Sequence, residues 1–298
     1  MQTSFFTKFA KRPTLRLQLD LESVISKFSG GLHRSVISGV GLEFKRLRPY
    51  DPSDSPTVID DVASARYSED PELEPLSREY YAERPISVIF LLDVDYTMEA
   101  PSEKYEHAAT LFWLFALSAF EPHDLFRILC FRRGEMADSD FLTNEEAVEE
   151  WFASWSKGRG PRFERLQSGN IFAHLAGWSL RDAVVILVSD FSWDWARELR
   201  SLRQLGVHDN NIRVVFFALD EWADYISTGY GMSLRDPRTG TVCHYTDEEL
   251  LELRAAHEEH VERIRSGIRP LGIPLVTIPL LAEPLALIQR KFSQMGYA

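Results

Sequence analysis

The sequence predicts an α/β fold, in which a mostly parallel β-sheet is covered by helices on both faces. Three observations lead to this prediction. From residue 86 onward, short apolar runs alternate with segments of helical periodicity. The apolar runs are continuous, which is typical of strands that are buried on both faces. Strands separated by helices favour parallel pairing through right-handed crossovers, so we expect a Rossmann-like three-layer sandwich.

The elements follow in order along the chain. The predicted strands are residues 86–92, 125–131, 184–188, 212–219 and 275–278. The predicted helices are residues 103–120, 144–155, 170–178, 195–205, 247–268 and 282–292. Residues 232–234 and 242–245 flank the turn-rich segment 236–240, which predicts a hairpin appended to the sheet.

The first 84 residues have a different pattern. Residues 20–28 predict a short helix that ends at a pair of glycines, whereas residues 50–75 are rich in Pro, Asp and Ser and have little periodicity. We therefore expect an irregular N-terminal extension over residues 1–84 and the sheet domain over residues 85–298.

Composition excludes several classes of function. The 298 residues carry a formal net charge of −12, which argues against a nucleic-acid surface because phosphate binding needs clustered Lys and Arg. The longest apolar run, residues 110–120, is about half as long as a membrane helix. The basic N-terminus lacks the apolar region of a secretory signal. Two separated cysteines, Cys130 and Cys243, suit a reducing cytoplasm and exclude both a disulfide framework and a cysteine zinc site.

Two predicted strands deliver carboxylates to one edge of the sheet. Asp93 and Asp95 follow the first strand, and Asp190 and Asp194 follow the third. If the two strands are neighbours, these side chains converge with the hydroxyl group of Thr97, because ligands of open α/β sheets bind at the carboxyl ends of the strands. Such oxygen donors suit Mg²⁺ or another divalent cation. The alternative is that the aspartates only cap the helices that follow.

The spacing Asp93-x-Asp95-x-Thr97 resembles the first motif of the haloacid-dehalogenase phosphatases. That resemblance implies an Mg²⁺-dependent phosphohydrolase with Asp93 as its nucleophile. It covers a handful of residues, and the sequence shows neither a glycine after the second Asp nor a convincing lysine on the approach to Asp190.

A longer resemblance extends from about residue 29 to residue 292. Residues 39–44 (GVGLEF), 48–54 (RPYDPSD) and 59–66 (IDDVASAR) are similar to the N-terminal signature of the domain-of-unknown-function 58 family. In that family the signature precedes a von Willebrand factor A-like domain, whose first strand ends in D-x-S-x-S-M. Residues 93–98 (DVDYTM) lie at the corresponding place. This resemblance implies a von Willebrand factor A-like sheet domain.

The longer resemblance also implies a metal-ion-dependent adhesion site. Its ligands would be Asp93, Asp95, Thr97 and Asp190, with Ser168 as the remaining hydroxyl because Gly169 stands where the family has a threonine. Asp95 in place of serine adds a negative charge, which would either tighten cation binding or leave an empty site with one carboxylate protonated.

Family members are commonly encoded beside MoxR-type AAA+ ATPases. The resemblance therefore implies a non-enzymatic interaction module, the partner or adaptor of such an ATPase, in the cytoplasm and without a membrane span. Tyr96, Trp193 and Asp194 beside the carboxylates are candidate interface residues. The alternative for the two aromatic residues is that they pack the loops against neighbouring helices.

Overall fold

The structure is a computed structural model that describes residues 9, 38–51, 56–67, 75–81, 86–120, 124–157, 160–167, 170–178, 180–181, 183–192, 195–205, 212–223, 229–284 and 286–288. The chain divides into two compact units. The smaller unit is Leu32–Pro85, and the larger unit combines Met1–Gly31 with Ile86–Ala298. The predicted helix over residues 20–28 lies outside the described residues.

The smaller unit contains an antiparallel pair of strands. Strand β1 (Ser38–Pro49) pairs with β2 (Leu76–Tyr81), and a 3-10 helix (Pro56–Val58) and helix α1 (Asp61–Tyr67) lie between them in the chain. The sequence predicted no regular element here. The strands were missed because their partners are distant in sequence and because β2, with the sequence LSREYY, carries several polar residues.

The larger unit is built on a seven-stranded sheet with the order β11-β8-β7-β3-β4-β5-β6. Five of these strands run parallel, and β5 and β6 are antiparallel to their neighbours at one edge. The strands are β3 (Ser87–Asp93), β4 (Leu125–Arg132), β5 (Glu135–Leu142), β6 (Glu164–Arg165), β7 (Ala183–Ser189), β8 (Ile212–Asp220) and β11 (Leu275–Pro279). This architecture confirms the predicted α/β sandwich.

Helices cover both faces of this sheet. They are α2 (Glu103–Phe120), α3 (Glu145–Ser156), α4 (Ile171–Ala176), α5 (Ala196–Leu202) and α6 (Asp247–Ile268). The predicted bounds of α2 and α6 are confirmed. No helix in the described part of the chain is long and apolar enough to cross a membrane.

Two features of the larger unit differ from the sequence-based expectation. Strands β5 and β6 were not predicted, because β5 (EMADSDFL) is largely polar and follows β4 through a tight turn at Gly134, which has a φ of 84°. The predicted hairpin, β9 (Met232–Arg235) with β10 (Val242–Tyr245), forms its own two-stranded sheet rather than extending the large one. Most of its side chains are exposed, so it has little apolar surface to pack.

Strand β3 lies at the centre of the sheet and is buried on both faces. Val88, Phe90 and Leu92 pack with α2 in one hydrophobic cluster, whereas Ile89 and Leu91 belong to a second cluster on the other face. The alternation follows from the two-residue period of a strand. Burial on both faces fixes the position of β3, and the residues that follow it therefore emerge at the middle of the sheet edge.

Candidate functional site

The candidate site lies where β3 and β7 end. The two strands are parallel neighbours, with Leu92 opposite Val188. Asp93, Asp95 and Asp190 therefore come together, and their residues are 0%, 4% and 3% exposed. Carboxylates so deeply buried need hydrogen-bond donors or positive charges around them.

Asp93 joins the two loops through neutral donors. One carboxylate oxygen accepts from the backbone N–H of Asp95 at 3.0 Å, and the other accepts from the Ser189 hydroxyl at 2.6 Å. The Ser189 oxygen in turn accepts from the Phe191 N–H at 2.9 Å. Both oxygens of Asp93 thus hold the loop backbone in place.

A pair of hydroxyl groups lies beside Asp190. The Ser192 hydroxyl donates to the Thr97 hydroxyl oxygen at 2.7 Å, and Thr97 donates to Asp190 Oδ1 over 3.4 Å. The same Oδ1 accepts from the Ser192 N–H at 3.0 Å. The hydroxyl groups therefore connect the loop after β3 with the loop after β7.

Lys104, in the first turn of α2, supplies a buried positive charge. Its ammonium donates to Asp190 Oδ2 at 2.8 Å and to the Thr97 carbonyl at 3.1 Å, and it lies 2.9 Å from Glu221 Oε2. Burial alone would lower the pKa of this ammonium, but the two carboxylates outweigh burial and raise the pKa above its ordinary value. Burial likewise would raise the pKa of Asp190, and Lys104 and Ser192 lower it instead. Both partners are therefore charged at neutral pH.

Arg133 supplies a second positive charge at the rim. Its Nε donates to Asp95 Oδ2 at 2.7 Å, and its Nη2 donates to the Tyr96 hydroxyl at 2.7 Å. The other oxygen of Asp95 accepts from the Tyr96 N–H at 2.8 Å. The Arg133 guanidinium lies 5.0 Å from the centre of the Tyr96 ring, and that of Arg238 lies 5.8 Å from it.

These contacts bear on the divalent cation that the sequence implies. Mg²⁺ demands a nearly octahedral shell of oxygen atoms, most often carboxylates and waters. Both oxygens of Asp93, of Asp95 and of Asp190 already accept hydrogen bonds, two of them from cationic side chains. Among the described residues, no three His, Cys, Asp or Glu side chains are grouped as possible ligands of one ion. The arrangement does not fit a resident Mg²⁺, and metal ligation by these residues stays a prediction.

Some of the predicted site residues lie together in the structure, and others lie outside the described residues. The structure brings Asp93, Asp95, Thr97 and Asp190 together and places Tyr96 at their rim, whereas three others lie outside the described residues: Ser168, Trp193 and Asp194. The neighbouring Trp195 is fully buried and packs on Phe191. It therefore belongs to the core.

The sequence reasoning missed the positive charges, Lys104 and Arg133, and also Glu221. The expectation that no lysine approaches Asp190 is wrong, because Lys104 contacts it directly. A signal was available, since residues 104, 108, 111 and 115 share one face of α2 and the last three are apolar. A lysine on that otherwise buried face needs an acidic partner.

A second polar cluster lies at the start of α4. Asn170 caps this helix by accepting from the N–H groups of Phe172 and Ala173, and Glu198 accepts from the Ile171 N–H at 3.0 Å. Burial raises the pKa of Glu198 to about 7. The cluster fixes Asn170 and Ile171, which directly follow Ser168 and Gly169 in the chain.

No family model and no curated protein matches the chain. A conserved hypothetical protein, BatB from Bacteroides thetaiotaomicron, is similar over 72% of this chain and 100% of its own, with 14% identity and a TM-score of 0.37. A von Willebrand factor type A protein from Catenulispora acidiphila is similar over 74% of this chain and 43% of its own, with 12% identity and a TM-score of 0.38. The fold class, an α/β sandwich on a mostly parallel seven-stranded sheet, rests on the strand order and layers of the chain itself.

Proposed function

We propose that this protein is a non-enzymatic interaction module of the cytoplasm and that it binds a MoxR-type AAA+ ATPase through the edge formed by the loops after β3 and β7. One observation supports this proposal above the others. The buried carboxylates of the edge are engaged within the protein, while the groups at its rim remain accessible. An edge of this kind is built to present a fixed surface.

The accessible part of the edge has the chemistry of an interface. We call it the rim surface and define it by Tyr96, Thr97, Arg133, Ser192 and Arg238. The Arg133 side chain is 50% exposed, and Ser192 and Arg238 are exposed. Tyrosine and arginine are the residue types that most often dominate binding energy. Because Arg133 is already held by Asp95 and Tyr96, little side-chain entropy is lost when a partner binds.

The alternative function, a phosphohydrolase, has less support. Its nucleophile would have to reach a phosphorus atom in line with the leaving group. Asp93 is 0% exposed and both of its oxygens accept hydrogen bonds, which counts against that role. Hydrolysis of p-nitrophenyl phosphate that is lost in Asp93→Asn would support the enzyme and contradict the interaction module.

The test is a binding measurement with a purified MoxR-type ATPase from the same genome. Replacing both rim cations, Arg133→Ser with Arg238→Ser, should weaken the complex about tenfold or more, because arginine is one of the residue types enriched among those that dominate binding energy. The control is Arg265→Ser in the last turn of α6, where an exposed arginine pairs with Glu262. If all variants bind as tightly as the parent protein, or if the parent does not bind, the proposal fails.

A further inference from the structure

The ammonium of Lys104 connects the loops of this edge. It contacts Thr97 after β3, Asp190 after β7 and Glu221 after β8. These three strands are consecutive neighbours in the order β8-β7-β3. A single positive centre therefore joins the ends of three adjacent strands.

The number of donors on the ammonium equals the number of oxygen atoms around it, and the ammonium is buried. A lysine has three donors, and Lys104 faces three oxygen atoms at 2.8, 2.9 and 3.1 Å. Its side chain is 2% exposed, and the Asp190 side chain is 3% exposed. A compact charge whose three donors are all engaged can connect the loops in the way that a small cation bound by protein oxygen atoms would.

The other described carboxylates of the edge also have partners within the chain. The extra carboxylate at Asp95 pairs with Arg133, and Asp93 receives a hydroxyl and an amide donor. Two positive side chains thus face the four carboxylates of Asp93, Asp95, Asp190 and Glu221. Two negative charges of this set are therefore met by neutral donors alone, and a divalent ion at Asp190 would have to displace Lys104.

We infer that Lys104 substitutes for the metal ion of an adhesion site and that this edge keeps its shape and its binding surface without a divalent cation. The first part of the inference, that Lys104 substitutes for the metal ion, concerns the isolated protein alone. The second part, that the binding surface needs no divalent cation, rests on the proposed function, because that surface is the rim surface. The two parts can therefore fail separately.

The deciding experiment is a titration of the full-length protein with Mn²⁺, followed by calorimetry and by the electron paramagnetic resonance signal of free Mn²⁺. The parent protein should bind no more Mn²⁺ than Asp190→Asn does. Lys104→Ala removes the ammonium and leaves Asp190 and Glu221 facing one another, so its affinity for Mn²⁺ should rise about tenfold or more. Mn²⁺ should also raise the melting temperature of this variant and not that of the parent.

The matched control is Arg265→Ala, which removes a cation from the exposed carboxylate of Glu262. It should gain no affinity for Mn²⁺. Binding by the parent protein that is lost in Asp190→Asn would overturn the inference, whether or not Lys104→Ala folds. A folded Lys104→Ala variant with no gain in affinity would overturn the claim that the ammonium lies in the cation position.

Because no ATPase is present, these results are independent of the proposed partner. Where the complex with the ATPase does form, it should have the same dissociation constant in EDTA and in Mg²⁺ without nucleotide. The second part would be overturned by a complex that requires a divalent cation bound to this protein. Such a complex would dissociate in EDTA and would also be lost in Asp190→Asn.

Discussion

Breaking the buried pair of Lys104 and Asp190 should cost more stability than breaking an exposed ion pair. Lys104→Met keeps the length of the side chain and removes its charge. At 2.8 Å and an effective dielectric constant of about 20, the attraction between the two charges is about 6 kcal/mol. Desolvation of both groups offsets part of it, and breaking a buried pair typically costs about 3–5 kcal/mol. We expect a loss in that range.

The loss should arise from the carboxylate that remains. Glu221 is 37% exposed and can be hydrated, whereas Asp190 is 3% exposed and would be left without its cation. Replacing both members, as Lys104→Met with Asp190→Asn, should therefore restore part of the stability that Lys104→Met loses. The assay is urea unfolding at pH 7 of the parent, the two single variants and the double variant.

Arg265→Ala provides the control for this cycle, since an exposed pair contributes about 0–1 kcal/mol. Two results would refute the reasoning. The first is a loss below about 1 kcal/mol in Lys104→Met, which would equal that of an exposed pair. The second is a double variant whose loss is the sum of the two single losses, because additivity means that the side chains do not interact.

Three further predictions follow from other parts of the larger unit. Phe9→Ala should lower the free energy of unfolding by about 3–5 kcal/mol, because this fully buried ring packs on two core aromatic rings; a loss near zero in urea unfolding would contradict the packing. Glu198 binds its proton more tightly in the folded protein, with a pKa of about 7 against 4.5, so its contribution to stability should fall as pH rises through that interval. Glu198→Gln should flatten the dependence of stability on pH, and parallel curves would argue against the raised pKa. Cys130 is buried and its pKa is raised, whereas Cys243 is exposed, so Ellman's reagent should modify one thiol in the folded protein and two after unfolding.

The elements that the sequence predicted well carry strong local signals. Helix α6 begins at Thr246, whose side chain and that of Glu249 form a capping box, and its predicted bounds agree with the structure. Strand β3 was visible as a continuous apolar run. By contrast, β5 and β6 are polar strands at one side of the sheet, and their pairing with the other strands depends on contacts that no local pattern reveals.

The candidate site likewise contains residues that could be predicted from the sequence and a contact that could not. Asp93 and Asp190 could be predicted because the ends of adjacent parallel strands meet at one edge. The ion pair of Lys104 with Asp190 joins residues that are 86 positions apart, so the apolar face of α2 indicates a buried lysine but not the carboxylate that it contacts. The position of the carboxylates was therefore predictable from topology, whereas the pairing of Lys104 with Asp190 could be identified only from the packed structure.

The three-way contact of the Lys104 ammonium also has a kinetic consequence. Because the loops after β3, β7 and β8 are joined before any partner arrives, association requires no ordering step on this side of the complex. The association rate should then be set by diffusion and orientation, in the range of about 10⁵–10⁷ M⁻¹s⁻¹ that is usual for rigid docking. If the proposed partner binds this surface and the surface forms without an exchangeable ion, removing a divalent ion from this protein cannot be the step that releases the partner.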